Sequence, residues 1–367
     1  MVLPNMCYST GEILDLFDYE VKYAEVFRYS TFVLIIIACI VGLVGNTIVI
    51  FYTLSVIKKN KSTIWFLNLA IVDFVSLLLM PLHGFAVLRG DWSYGPLSCK
   101  IFFFVLCITI HANIFILVAL NISRVLSVAK PIFYKKFISR RVLCWTCAVI
   151  WLITLLCSLP VLYFGKTFTI GDRTYCALQS STDFDIGPFD PVLNLTEEHL
   201  TLHEKVHLDV HQKYHHFFVT CSSEKCCCKE DIIAKWDHLV FSAKCFNIPV
   251  LIISYFLPLF VVIFSNITIA IQVKKSQTVN PRRMYRLVIT IIVVYFVTWT
   301  PSTMAEMFYV YAIMNRNIIM MFKVQIFTPL LFTIAYTNCF LDPIMYVLVG
   351  RQTRSRVAEF LNRLRSN

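Results

Sequence analysis

The feature that most constrains this chain is a series of apolar segments, each long enough to cross a lipid bilayer. A transmembrane helix needs about 20 mostly apolar residues. Seven segments of the 367-residue chain meet this requirement. They lie at about 29–57, 63–88, 99–129, 142–163, 246–273, 286–313 and 322–349. The pattern predicts an all-α membrane protein built as a bundle of seven transmembrane helices.

The composition and the placement of charge support the same fold. The chain is 58% hydrophobic and only 15% charged, which leaves too few polar side chains to cover a large soluble protein. Its net charge of +11 could suggest nucleic-acid binding. However, most acids lie in the first 25 residues and between 172 and 237, whereas the basic residues cluster between apolar segments. This distribution predicts a lipid bilayer as the partner and excludes nucleic acid.

The basic clusters also predict an orientation. They lie at 58–61, 135–141, 274–283 and 351–365, in every second connection and at the C-terminus. By the positive-inside rule these segments are cytoplasmic, so the N-terminus is outside and the protein is a multi-pass plasma-membrane protein. Residues 1–28 form an acidic outer tail, 29–349 the membrane domain with a long second outer loop at 165–245, and 350–367 a short amphipathic helix eight with the tail.

Each of the seven segments contains at least one short sequence motif. They are Gly45-Asn46, NLAIVD at 68–73, Cys99, Arg124, Trp151, Pro258, TWTP at 298–301 and DPIMY at 342–346. Together they resemble the rhodopsin family (class A) of G-protein-coupled receptors. Pro81, the sequence Trp-Ser-Tyr-Gly from Trp92, and the acidic N-terminus are similar to the branch of formyl peptide, anaphylatoxin and chemokine receptors.

The resemblance implies a function. The chain would be a cell-surface receptor for an extracellular peptide or chemoattractant ligand, and would activate a heterotrimeric G protein of the inhibitory type. The alternative is a non-signalling scavenger that binds and internalises ligand. An enzyme is not expected, because no nucleophile, base and orienting group can be assembled from the sequence. A transporter is disfavoured because no inverted repeat is visible.

The resemblance also implies particular site residues. Cys99 would form a disulfide with Cys176. Glu306 would receive a basic group of the ligand, in a pocket shared with His83, His111, Tyr309 and Trp92; the alternative is that these residues serve packing alone. The activation and coupling residues would be Ser123, Arg124, Ile132, Asn266, Trp299, Pro301, Asp342, Pro343 and Tyr346.

A sodium site is implied at mid-membrane by Asp73, Asn113, Asn338 and Asp342. Two carboxylates with amide oxygens suit a hard cation. A water-filled polar network is the alternative, because Cys339 stands where the family often has a ligating serine. No other cofactor is required.

Two departures from the family pattern concern signalling. Ser123 precedes Arg124 where the family usually has an acid, so the arginine lacks the carboxylate that would hold it. Asn266 stands where helix five usually has a tyrosine. The first change predicts raised basal activity or altered coupling, and the second acts against the active state.

The second outer loop carries an unusual insertion. Asn194-Leu-Thr is a predicted glycosylation site. Imidazoles follow at every fourth residue, at His199, His203, His207, His211 and His215. On a helix they share one face, and zinc is one candidate ligand for them. The alternatives are an exposed helix with disulfides among the nearby cysteines, and a loop that responds to pH.

Overall fold

The computed structural model describes residues 7–56, 63–170, 173–178, 218–221, 225–228, 230–275 and 282–349. Asn194, the five spaced histidines and the predicted helix eight at 350–367 lie outside the described residues. The expectations of glycosylation, zinc binding and an amphipathic tail helix therefore stay predictions.

Helices account for most of the described chain. They are α1 (Thr10–Val56), α2 (Thr63–Arg89), α3 (Pro96–Ala129), α4 (Pro131–Phe137), α5 (Arg140–Ser158), α6 (Val161–Phe164), α7 (Glu230–Ser242), α8 (Ile248–Leu251), α9 (Leu257–Lys275), α10 (Arg282–Met314), α11 (Ile318–Tyr336) and α12 (Asn338–Val349). Two π-helical turns, Ala243–Asn247 and Ile252–Phe256, join α7, α8 and α9 into one continuous stretch.

These helices confirm the predicted seven-helix bundle. In the described ranges, 6 stretches are long and apolar enough to cross a membrane, and they belong to α1, α2, α3, α5–α6, α7–α9 and α11–α12. The 33-residue α10 is the remaining long helix and corresponds to the predicted segment 286–313. One boundary differs from expectation, since α1 begins at Thr10 instead of near residue 29. The cause is tertiary: the early part of α1 packs against other helices through Leu16.

Local sequence explains two helix starts, and two prolines lie inside helices. Pro96 starts α3. Proline has no backbone N–H, and at this first position an N–H would have no partner within the helix, so no hydrogen bond is lost. Ser139 caps α5 by accepting a hydrogen bond from the Val142 amide at 3.3 Å. Pro301 and Pro343 lie inside α10 and α12, where neighbouring helices in a bundle tolerate the lost backbone hydrogen bond.

Two small antiparallel sheets lie at one end of the bundle. Strands β2 (Gly165–Ile170) and β3 (Arg173–Leu178) form a hairpin. Strands β1 (Cys7–Ser9), β5 (Lys225–Cys228) and β4 (Phe218–Cys221) form a second sheet in the order β1-β5-β4. We call the end of the bundle that carries the two sheets the disulfide end, after the Cys99–Cys176 bridge. The opposite end is the arginine end, after Arg124.

Candidate ligand and signalling sites

The predicted disulfide is present and fixes the hairpin over α3. Cys99 and Cys176 are bonded, with their Cα atoms 5.7 Å apart. The backbone N–H of Trp92 donates to the Thr174 carbonyl at 2.8 Å, and its indole Nε1–H donates to the Gly95 carbonyl at 3.1 Å. Trp92 is only 4% exposed, so it holds the loop against the hairpin and presents little surface to a ligand.

Glu306 belongs to a polar group on α10 near the disulfide end. The Asn247 side chain donates from Nδ2 to Glu306 Oε1 at 2.7 Å. Tyr309, almost one turn further along α10, lies close to both Glu306 and Gln325. Asn247 is the last residue of a π-helical turn, a distortion that often occurs at functional sites. Asn247 was not among the predicted site residues, although a lone amide in an apolar stretch is a usable signal.

The two predicted pocket histidines have different surroundings. His83 stacks on Phe102 with ring centroids 6.0 Å apart and meets Phe332 edge-on at 5.6 Å. Its Nε2 atom is buried and has no hydrogen-bond partner among the described residues. In contrast, His111 Nδ1 lies 2.8 Å from the Cys107 carbonyl of its own helix. His83 therefore has a free polar atom beside an aromatic wall, whereas His111 is satisfied within α3.

The N-terminal segment folds onto the disulfide end, which sequence analysis did not foresee. Tyr8 OH donates to the Arg316 carbonyl at 3.0 Å and accepts from the Ile318 amide at 2.9 Å. Cys7 is disulfide-bonded. Leu16 is fully buried in a cluster with Trp236 and other apolar residues of α7, α10 and α11. We call residues 7–24 the N-terminal clasp.

The predicted sodium-site residues come together in the centre of the bundle. Asp73, Asn113, Asn338 and Asp342 are buried, and each is at most 6% exposed. Asn113 Nδ2 donates to Asp73 Oδ1 at 2.8 Å, and the carboxylates of Asp73 and Asp342 are in electrostatic contact. Oxygen atoms of all four side chains are buried without a hydrogen-bond partner among the described residues. Such a group of unsatisfied oxygens has the chemistry of a hard-cation site.

Trp299, one of the predicted activation residues, lies on α10 and packs against aromatic side chains of α10 and α11. Trp299 stacks on Tyr295 with centroids 5.6 Å apart and contacts Tyr336 at 5.7 Å. Pro301 follows two residues later inside α10. Tyr346 lies on α12, but its side chain is outside the described part of the chain. The indole therefore lies two residues before the proline of α10 and contacts the preceding turn and a neighbouring helix.

The arginine end has the features expected from its missing acid. Ser123 Oγ lies 3.2 Å from Tyr134 OH, a neutral contact that sequence analysis did not identify. Arg124 has buried Nε and Nη2 atoms with no hydrogen-bond partner among the described residues. Ile132 is 82% exposed on α4, and the Asn266 side-chain oxygen is buried and unpartnered within the same described ranges. Two unpartnered nitrogens of Arg124 and an exposed apolar side chain thus occur at the same end of the part of the chain that the structure describes.

Comparison with known proteins decides the family. The model of the 7 transmembrane receptor (rhodopsin family) matches residues 45–192 and 207–346. The chain belongs to the rhodopsin family. It is therefore a membrane-spanning receptor of the G-protein-coupled type and not an enzyme, as its motifs predicted.

Relatives place this rhodopsin-family receptor in the peptide and chemoattractant branch. It is 24% identical to chemerin-like receptor 1 of Rattus norvegicus over 97% of the chain and 86% of the relative. It is 25% identical to chemerin-like receptor 2 of Homo sapiens over 95% and 86%. It is 34% identical to the C3a anaphylatoxin chemotactic receptor of Cavia porcellus, over 41% of the chain and 31% of that receptor.

Proposed function

We propose that the chain is a cell-surface receptor, with its N-terminus outside, that binds a chemoattractant peptide or protein at the disulfide end. The observation that carries this proposal is the group Glu306, Asn247 and Tyr309. A carboxylate oriented by an amide in an apolar helix end suits a basic group of a ligand. Because its relatives are named for chemerin and the C3a anaphylatoxin, these two proteins are the first ligands to test.

The proposed output is nucleotide exchange on an inhibitory heterotrimeric G protein. The support lies at the arginine end, where Arg124 has no ion pair among the described residues and Ser123 contacts Tyr134 instead. An unpaired arginine is available to a G protein without the loss of an ionic contact. We therefore expect the receptor to have measurable activity without ligand.

The test is ligand-free nucleotide exchange on an inhibitory G protein in membranes that carry the receptor. Ser123→Asp would place a carboxylate beside Arg124, and a hydrogen bond to a charged group is worth about 1.5–3 kcal/mol. Basal exchange should then fall about tenfold or more. Arg124→Ala should abolish it, whereas Ser123→Ala adds no charge and should leave it near the wild-type rate.

A scavenger is the second candidate function. It is favoured by Asn266, which stands in place of the tyrosine that supports the active state and whose side-chain oxygen has no hydrogen-bond partner among the described residues. If all the variants and the wild type match empty membranes, and added chemerin or C3a produces no exchange, the signalling proposal is wrong. Uptake of either labelled ligand by cells would then support the scavenger.

We also propose that sodium binds between Asp73, Asn113, Asn338 and Asp342. The unsatisfied buried oxygens support this assignment, because in a low-dielectric interior they are costly unless a cation or water pairs with them. Replacing potassium by sodium at equal ionic strength should raise the midpoint of thermal unfolding of the purified receptor. Asp73→Asn removes one charge with little change in volume and should abolish the difference; an equal difference in both proteins would contradict the site.

A further inference from the structure

A cavity of about 610 Å³ lies between α10, α11 and the N-terminal clasp. On α10 its lining residues are Pro301, Met304, Ala305 and Phe308, which recur with the spacing of one helix face. Met304 and Phe308 are 48% and 49% exposed. Because α10 is a helix of the membrane bundle, exposed apolar side chains on it face lipid. The cavity is therefore a groove that opens on the lipid-facing surface, and we call it the α10–α11 groove.

The α10–α11 groove is separate from the proposed ligand site. Glu306 lies on the other side of α10, where its Oε1 atom accepts a hydrogen bond from Asn247 at 2.7 Å. Ala305 and Phe308 line the groove beside α11 instead. A molecule in the groove would thus occupy a second site and would not displace a ligand from Glu306.

The groove is polar at one end and apolar along the rest of its length. Among the described residues, the polar side chains that line it belong to the clasp and the first two turns of α11: Tyr8, Glu12, Asn317 and Lys323. Beyond Lys323 the lining residues of α11 are apolar as far as Leu331, about 12 Å further along the helix. One leaflet of the hydrocarbon core is about 15 Å thick. The apolar part is therefore about as long as one leaflet is deep.

Two opposite charges lie at the polar end. Ser9 and Glu12 form a capping box at the start of α1, in which the Ser9 amide donates to Glu12 Oε2 at 2.9 Å and the Glu12 amide donates to Ser9 Oγ at 3.2 Å. This pair of bonds holds the carboxylate at the rim of the groove. Lys323 is exposed at the same rim, and no ion pair joins it to Glu12 in the part of the chain that the structure describes. An acid and a base at one rim match the two charges of a zwitterion.

We propose that the α10–α11 groove binds phosphatidylcholine from the surrounding leaflet, with one acyl chain lying between the two helices. Lys323 binds the phosphate. Glu12 faces the trimethylammonium group beside the ring of Tyr8, because a quaternary ammonium is attracted to a carboxylate and to aromatic faces. An anionic headgroup would also be attracted by Lys323 but would be repelled by Glu12. Charge complementarity therefore favours the zwitterionic lipid.

The experiment labels the groove from within a bilayer and uses no G protein, so it can fail independently of the proposed function. The full-length receptor is placed in nanodiscs of phosphatidylcholine and phosphatidylglycerol in equal amounts. Each sample contains a trace of one photoreactive probe, either phosphatidylcholine or phosphatidylglycerol, with a diazirine at the end of one acyl chain. Mass spectrometry then compares the label on residues 324–331 with the label on the lipid-facing Leu152 and Leu156 of α5, which are 57% and 54% exposed.

The label ratio of α11 to α5 should be about threefold higher for the phosphatidylcholine probe, because only this headgroup meets two opposite charges. Lys323→Gln and Glu12→Gln should each remove most of this preference. Glutamine keeps the capping box with Ser9, so the second variant separates lost charge from lost folding. Lys244→Gln and Asp18→Asn change exposed charges at the same end that do not line the groove, and should label like the wild type.

A further variant tests the place of the acyl chain. Val324→Phe puts a larger side chain into the groove and should lower the label on α11 for both probes by about threefold or more. Val297→Phe is the matched control, because Val297 is 65% exposed on α10 and lies outside the groove lining.

Several results would overturn the proposal. Equal ratios for the two probes, or a preference that both glutamine variants retain, would exclude recognition of the zwitterion. A higher ratio for phosphatidylglycerol would assign Lys323 to an anionic lipid. Unchanged label in Val324→Phe would exclude the groove as the place of the acyl chain, and an equally high ratio for a phosphatidylethanolamine probe would exclude recognition of the quaternary ammonium.

Discussion

The N-terminal clasp should open when Leu16 is shortened to alanine. Leu16 is 0% exposed and packs in a cluster that contains Trp236, Ile313 and Phe322. Replacing a buried leucine by alanine costs about 2–5 kcal/mol, because apolar contacts are lost and a cavity is left. Tyr8 and the pairing of β1 with β5 also hold the clasp to the disulfide end. We expect the lost contacts of Leu16 to raise the local opening of residues 10–24 and to leave the membrane helices intact.

Hydrogen exchange measures how much the substitution changes the opening equilibrium of the clasp. Since about 1.4 kcal/mol changes an equilibrium tenfold, the opening equilibrium should rise about 30-fold to about 3,000-fold. Mass spectrometry of the receptor in nanodiscs would show this as faster exchange of amides in residues 10–24. Val26→Ala is the matched control, because Val26 lies on the same helix and is 58% exposed.

Unchanged exchange in residues 10–24 of the Leu16→Ala protein would contradict this role of Leu16. It would also be refuted if amides of α3 accelerated equally, since the loss would then be global. A selective increase in the clasp, with Val26→Ala unaffected, would establish that the apolar cluster holds the N-terminus on the bundle.

Two further predictions concern single contacts. Tyr8→Phe removes two hydrogen bonds, one of which the Tyr8 hydroxyl accepts from the Ile318 amide. Hydrogen exchange of that amide should become about tenfold faster. An unchanged exchange rate would show that the clasp does not reach α11. Gly45→Ala places a Cβ 2.9 Å from Pro343 and should cost about 1–3 kcal/mol, seen as a lower thermal midpoint. Gly11→Ala has open space around it and should leave the midpoint unchanged; equal midpoints for both variants would contradict the packing argument.

The sequence was sufficient to predict the helix bundle and the position of each site residue along its helix. A run of about 20 apolar residues has few alternatives in a bilayer, because each backbone polar group must be satisfied within the helix. The same applies to Asp73 and Asp342: a carboxylate in a membrane segment faces the bundle interior, and the two were predicted to meet. The bond between Cys99 and Cys176 also followed from the family motifs and is present.

Contacts between helices were decided only by the tertiary structure. The contacts between Asn247 and Glu306 and between Ser123 and Tyr134 depend on helix rotation, tilt and loop docking, which packing sets and hydropathy does not encode. The N-terminal clasp is the clearest example of contacts that could not be predicted from the sequence. Its acidic sequence suggested a solvated tail, yet Leu16 and Tyr8 find partners on α7, α10 and α11. A residue's burial there depends on surfaces contributed by segments more than 200 residues away along the chain, so no local pattern could have revealed it.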